Sequence, residues 1–401
     1  MSGPREAPTA PSRSTERDFH REFDLESPEL ATHYEEIMAS FHTGGCPVAR
    51  SEVGEGYWVL TGYDDVRAAA LDWETFSSKS GYLPNRPPDM QFYYPTECDP
   101  PFHTEVRKDL NKYFGPKEVN AKQGEIQAHV DDLIDSFIDR GEVEIVSEFA
   151  NQLPGRVFFV TFAGMPAEDL PEIQQTLHRA MLGPLDKRGQ EFEKAYRYFG
   201  EYLRRRQEEE PRGDVIDEIL GLDFPGYGWD DKVGTLTLLT LGGIGTSGYV
   251  ITGALYHLAQ NLDDRRFLQA DDSAMPTAVE EFLRYYTASP HDGRRATKDV
   301  EVGGTKIAAG DYVLLGYGEA CRDPKVFGQP GEIDITRSPS RHLAFSAGPH
   351  RCIGSHVARM QIRLALSTFL RRIPEFSVEP GFEPTYETAI TRTMDRLPLR
   401  F

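Results

Sequence analysis

The sequence predicts a mainly α fold with small β-sheets (α+β), and three observations carry that reading. Apolar residues recur at helical spacing over about 118–140, 167–183, 190–210, 274–286 and 354–371. Val233 to Asn261 contains no Asp, Glu, Lys or Arg, and reads as one long central helix buried all round. Strand-like runs are short: Gly56 to Thr61, an alternating stretch over 299–318 broken at Gly303-Gly304 and Gly310, and a tail ending at Phe401. No internal repeat and no Gly/Ser linker divides the chain. A disordered N-terminal tail over 1–20 and a single domain over 21–401 are therefore expected.

Taken in order, the elements have local causes. Tyr63-Asp64-Asp65-Val66 opens a helix with an Asp cap. Residues 82–98 hold Pro84, Pro87, Pro88 and Pro95 among Tyr82, Phe92, Tyr93 and Tyr94, the composition of a loop that lines a pocket. A helix starts after Asp99-Pro100-Pro101, since proline is tolerated in a first turn. It sets His103 and Arg107 at i,i+4 on one face, and two such donors suit a dicarboxylate. Glu281 and Arg284 at i,i+3 form an ion pair on the helix over 274–286. A Pro- and Gly-rich meander over about 322–350 precedes the last helix.

Composition removes several classes of function. The net charge of −20 argues against nucleic acid and anionic membranes as partners. Cys46, Cys98, Cys321 and Cys352 show neither pairing nor metal-finger spacing, which fits a reducing, cytoplasmic setting. The polar N-terminus has no apolar core of a signal peptide. The uncharged stretch is long enough to span a membrane, yet its five Thr and six Gly favour a buried soluble helix.

The most informative segment is Phe345-Ser346-Ala347-Gly348-Pro349-His350-Arg351-Cys352-Ile353-Gly354. A cysteine at a helix N-terminus beside His350 and Arg351 is placed to be a thiolate, the form that binds metal. Gly348 and Gly354 permit a tight turn and a close approach to a flat partner. On the central helix, Gly242, Gly243 and Gly245 each cost about 1 kcal/mol relative to alanine, and the loss has a reason if a cofactor lies against that backbone.

Phe-x-x-Gly-x-His-x-Cys-x-Gly resembles the haem-ligand loop of the cytochrome P450 family. The resemblance runs from about Pro28 to Phe401 and implies the fold of that family, with haem between a long central helix and a cysteine-ligand loop. It implies haem b (iron protoporphyrin IX) bound by Cys352, with Phe345, Gly354 and Gly242 around it. His103, Arg107, Arg294 and His350 would hold the propionates, with Arg295 beside Arg294 as a decoy. Arg337 would join Glu281 and Arg284 in a structural triad. Leu241-Gly242-Gly243-Ile244-Gly245-Thr246-Ser247 resembles the family's oxygen-binding groove, in which the threonine, here Thr246, hydrogen-bonds dioxygen and helps deliver protons. Leu238, Leu241, Gly242, Ile244 and Thr246 would face the distal side, with Ile390 and Thr391 bordering substrate and Met181, Leu182, Pro184 and Leu185 closing the roof.

The chain departs from the family pattern at one position: Gly245 stands where the family has an acid. Water with Thr246 and Ser247 would have to carry protons, or the substrate would supply a polar group. The leading expectation is a haem-thiolate monooxygenase acting on a hydrophobic small molecule. Its electrons would come from NAD(P)H through a ferredoxin reductase and an acidic ferredoxin, the latter docked on Arg107, Lys108, Lys112, Arg341, Arg351, Arg359 and Arg363. The alternatives are a peroxide-driven or small-ligand-reducing haem-thiolate enzyme, suggested by Gly245, and a haem protein that binds a ligand without catalysis.

Overall fold

In a computed structural model of the protein, the residues described are 18–43, 47–82, 84, 92–388 and 391–401. The expected tail over 1–17, Cys46, Ile390 and most of the loop over 83–91 lie outside them, as does the side chain of Leu185. Helices dominate, and the largest sheet has five strands in the order Val48–Ser51, Tyr57–Leu60, Tyr312–Gly316, His291–Ala296, Phe76–Ser77. Tyr57–Leu60 runs parallel to Tyr312–Gly316, whose other neighbour, His291–Ala296, is antiparallel with Arg294 opposite Val313. One large apolar core extends from Val106 to Leu399 and joins most of the helices. Two smaller cores lie on the sheet, one against the helix Tyr63–Leu71 and one against the N-terminal helices Phe19–Glu22 and Tyr34–Thr43. Phe19 is buried there, so residues 19–20, assigned to the tail from sequence, are part of the fold.

Two local expectations are corrected. The helix Tyr63–Leu71 is not capped by its own aspartates: Asp64 and Asp65 sit in the first turn, and the Tyr63 N–H donates instead to Asp323 Oδ2 at 2.9 Å. The acceptor arrives from the meander, which no local rule could foresee. The central helix is not continuous. Trp229–Ile244 and Thr246–Gln260 are separated by Gly245, at φ −133° and ψ −42°. Nor is it buried all round. Its inner faces are packed, but Leu238, Leu241, Gly242, Gly245 and Thr246 are open. Their spacing of i, i+3, i+4, i+7, i+8 makes one stripe. By length and composition the pair is apolar enough to cross a membrane, yet most of it is buried inside the protein.

The glycines of this helix divide by what they face. A Cβ on Gly243 would meet the Phe158 ring at 2.5 Å, and one on Gly248 would meet Asn151 Oδ1 at 2.6 Å. Both serve close packing against the wide-turned helical segments Val146–Ala150 and Arg156–Phe162. At Gly242 and Gly245 an added Cβ meets nothing within 4 Å. Of the three glycines expected to lie against a cofactor, only these two face open space.

Candidate functional site

The cysteine loop is shaped by contacts within the protein. Gly348 has φ +67°, and a Cβ there would lie 2.4 Å from the Ala70 carbonyl, so only glycine fits. The Cys352 N–H donates to the Phe345 carbonyl at 2.9 Å, closing the loop, and Ser355–Arg372 continues as the last helix. Gly354 has an ordinary φ of −81°, and its contribution is space: a Cβ there would stand 4.0 Å from the sulfur. Among the described cysteines, Cys98 and Cys321 are buried and Cys352 is reachable.

The sulfur is open on one side yet surrounded by protein. Burial pushes its thiol up, while the Gly354 N–H and the guanidinium groups of Arg107, Arg359 and Arg351 pull it down. The cationic help expected from His350 is absent. Its own burial, with Arg294, His103 and Arg107 around it, pushes the imidazole down to about 2, so the ring is neutral. Metal binding is what completes the ionisation of such a thiol.

Beside the loop is a cluster of buried donors. His103 and His350 face each other with ring centroids 4.4 Å apart. His103 is buried, which holds its imidazole down at about 4, and its Nε2 has no partner. Arg294 is buried as well; Nη1 reaches the Gly293 carbonyl at 2.6 Å and Asp292 Oδ2 at 2.9 Å, while Nη2 has no partner. Arg107 bridges to the cysteine loop, Nη2 donating to the Arg351 carbonyl at 2.9 Å. His350 Nε2 is 3.1 Å from Ser78 Oγ, a contact without a sequence signal. Buried donors left unsatisfied are costly, so two orphaned ones beside a reachable thiol mark where an anionic partner belongs. The donor set fits haem: a thiolate for iron, with fixed charge from Arg107 and Arg294 and neutral imidazole donors for two propionates. Strand alternation separates the two neighbours: Arg294 is buried, whereas Arg295 points elsewhere and donates to the Gly310 carbonyl at 2.6 Å.

The expected triad is present. Glu281, fully buried, accepts from Arg284 Nε and Nη2, each at 2.8 Å, from Arg337 Nε at 3.0 Å and from the Asp334 N–H at 2.9 Å. Arg284 also donates to the carbonyls of Cys321, Pro330 and Glu332 at 2.8–2.9 Å. One ion pair thereby holds three points of the meander.

Thr246 lies on the open stripe and its Oγ1 donates to the Gly242 carbonyl at 3.0 Å, leaving the hydroxyl lone pairs toward open space. Two expectations fail here. Ser247 is buried and does not open onto the stripe beside Thr246. Ile244 packs in the main core, off the stripe, and does not face the cavity. Both errors come from reading a contiguous motif as a contiguous surface, when a helix turns successive residues about 100° apart. Thr391 is described and part-exposed at the start of the hairpin strand Arg392–Met394. His178, on the roof helix Leu170–Leu182, ties that hairpin to the roof through Nε2 to Glu387 Oε2 at 2.9 Å.

The basic patch is smaller than expected. Lys112 pairs with Glu218, Arg359 pairs with Glu280 at 2.6 Å, and Arg363 turns toward Gln123 and Met360. Lys108, Arg341 and Arg351 stay exposed. A recess of about 580 Å³ beside the cysteine loop is lined by Tyr63, Arg67, Glu280, Arg341, Arg351 and Arg359. Arg67 was missed because it lies far from the cysteine motif in sequence.

A family model described as cytochrome P450 matches residues 164–393. The chain is 35% identical over 344 residues to cytochrome P450 130 of Mycobacterium tuberculosis, covering 80% of this chain and 83% of that one. It is 29% identical over 398 residues to the 6-deoxyerythronolide B hydroxylase of Saccharopolyspora erythraea, covering 94% and 98%. Among solved structures, that of CxnD, a cytochrome P450 for C–S bond formation in chuangxinmycin biosynthesis, superposes with a TM-score of 0.85 at 30% identity, over 93% of this chain and 95% of that one.

Proposed function

The chain belongs to the cytochrome P450 family of haem-iron monooxygenases, and on that premise we propose that it oxidises a hydrophobic small molecule with dioxygen and electrons from an acidic ferredoxin-type partner. The observation that carries the residue assignment is the reachable sulfur of Cys352 beside two unpartnered buried donors, His103 Nε2 and Arg294 Nη2. Haem held by a thiolate supplies the chemistry, since electron density from sulfur favours O–O cleavage. The residues do the rest. Cys352 ligates iron, and Arg107, Arg294, His103 and His350 hold the propionates. Phe345 and Gly354 would border the haem from the cysteine loop. Gly242 and Gly245 keep the distal stripe flat, Leu238 and Leu241 present apolar surface to substrate, and Thr391 borders it from the start of the hairpin strand; Ile390 is given the same role from the sequence alone. Glu281, Arg284 and Arg337 hold the loop.

Thr246 Oγ1 is the group placed to accept and pass a proton, and with Ser247 turned away the next carrier is water in the space beside Gly245. That same space supports a second reading, a peroxide-driven enzyme, because peroxide brings protons and electrons of its own. Lys108, Arg341 and Arg351 with Arg67 make a cationic surface for the electron donor, which a reductase recharges from NAD(P)H. We read the chain from Phe19 to Phe401 as one domain working in the cytoplasm, with neither nucleic acid nor membrane as partner.

The test is a titration of the purified ferric protein with terpenoids, steroids, aromatics and fatty acids, following the haem Soret band. A shift with one class identifies the substrate chemistry. Turnover of the bound compound with ferredoxin, reductase and NAD(P)H is the expected outcome; turnover by peroxide alone would replace the first reading by the second.

A further inference from the structure

Arg392 has no part in the assignments above, yet it is a buried cation at the start of the hairpin strand Arg392–Met394, engaged through Nη1 and the face of its guanidinium while Nε has no partner. It is 6% exposed. Its Cζ lies 4.0 Å from the Tyr34 ring and 4.0 Å from the Tyr386 ring. Nη1 donates to Tyr249 Oη at 2.8 Å and stands 3.5 Å from the Glu35 carboxylate. Its backbone N–H donates to the Ala288 carbonyl at 2.9 Å. One residue therefore joins four segments: the helix Tyr34–Thr43, the second half of the central helix, the hairpin of Tyr386–Thr388 with Arg392–Met394, and the chain entering the strand of Arg294.

Placement gives these contacts meaning. Tyr249 is buried in the first turn of the half-helix that begins at Thr246, just beyond the break at Gly245 where the open stripe ends. Thr391 is the residue before Arg392. A buried guanidinium is expensive, and an apolar side chain of similar volume would hold the hairpin down at least as well. What an apolar side chain would not supply is direction. A hydrogen bond to one phenol and stacking on two others fix the guanidinium plane, and the backbone carrying Thr391 with it.

We propose that Arg392 is a positioning residue for substrate: through Tyr249, Tyr34 and Tyr386 it sets where Thr391 stands relative to the distal stripe, and so which substrate shapes are admitted. This rests on the reading that haem lies beneath that stripe.

The test uses the full-length, haem-loaded protein as wild type, Tyr249→Phe and Arg392→Lys, each titrated with imidazole and with 4-phenylimidazole by the Soret shift. Imidazole needs only the iron, whereas the phenyl group must also fit beside Thr391. Unchanged imidazole affinity is expected, with the 4-phenylimidazole affinity of both variants altered about fivefold or more. Equal ratios of the two affinities in all three proteins, even with lowered melting temperatures, would reduce Arg392 to a structural residue and overturn the proposal. Should Arg392→Lys not fold, Tyr249→Phe decides alone, since it removes one oxygen and keeps the ring. Failure of imidazole to bind wild type would instead strike the haem reading, and this proposal with it.

Discussion

Replacing Glu281 by Gln removes one negative charge and keeps the shape of the side chain. In the native protein that carboxylate is fully buried and accepts four hydrogen bonds, three from the guanidinium groups of Arg284 and Arg337. The amide can accept at only one of its two heads, so at least one charged donor is left facing a donor. Breaking a buried pair in this way costs about 3–5 kcal/mol. An unfolding entropy of about 2.1 cal/mol/K per residue gives roughly 0.8 kcal/mol/K for a chain of this length, so the melting temperature should fall by about 4–6 °C. Because Arg284 also holds the carbonyls of Cys321, Pro330 and Glu332, the loss should loosen the meander and lower haem retention. Differential scanning calorimetry, with haem content after gel filtration, measures both. A variant that melts with wild type and keeps its full haem complement would show that the triad does not hold the loop.

Other consequences are as open to measurement. Gly245→Asp has room, since a Cβ there meets nothing within 4 Å; it should raise the fraction of NAD(P)H electrons recovered in product, and unchanged or poorer coupling would mean the missing acid is not limiting. Arg341→Glu with Arg351→Glu should slow reduction by an acidic ferredoxin about tenfold or more at low salt, with the difference shrinking above about 0.1 M as charges are screened; equal stopped-flow rates would move the docking site elsewhere. The pair of His178 and Glu387 should make substrate entry depend on pH. Hydrogen bonding to Glu387 raises the pKa of His178, and hydrogen bonding to His178 lowers that of Glu387. The tie is therefore intact between the lowered value of Glu387 and the raised value of His178. It is lost on the alkaline side as His178 deprotonates and on the acid side as Glu387 protonates. Both groups are about half exposed, so its strength is under about 1 kcal/mol. Azole association should quicken as pH rises through the upper limit, and His178→Ala should flatten that dependence; a flat profile in wild type would remove the gate.

How much of this was legible beforehand depended on whether the signal was local. Cys352, Glu281 with Arg284, and His103 with Arg107 are fixed by spacing on one loop or one helix turn, and of these the ion pair of Glu281 with Arg284 is formed as the spacing predicts. Arg337 and Arg294 required a relation between distant segments, which the family resemblance supplied and periodicity did not. The failures are of two physical kinds. Ser247 and Ile244 sit inside the right motif but on the wrong side of a helix. Lys112, Arg359 and His350 carry the right residue types, but pairing or burial removes their charge from the surface or keeps it from forming. Tyr249, Tyr386 and Arg392 offered no signal, because an isolated arginine in a C-terminal strand looks like any solvated one.

Three contacts shape the cysteine loop and its approach: Gly348 against Ala70, the Cys352 N–H on the Phe345 carbonyl, and Arg284 on the Cys321 carbonyl. A substitution on the helix that carries Ala70, or on the helix that carries Arg284, can therefore shift the sulfur without touching it. Change far from the cysteine becomes a way to tune the position of the ligand while its sequence motif stays the same.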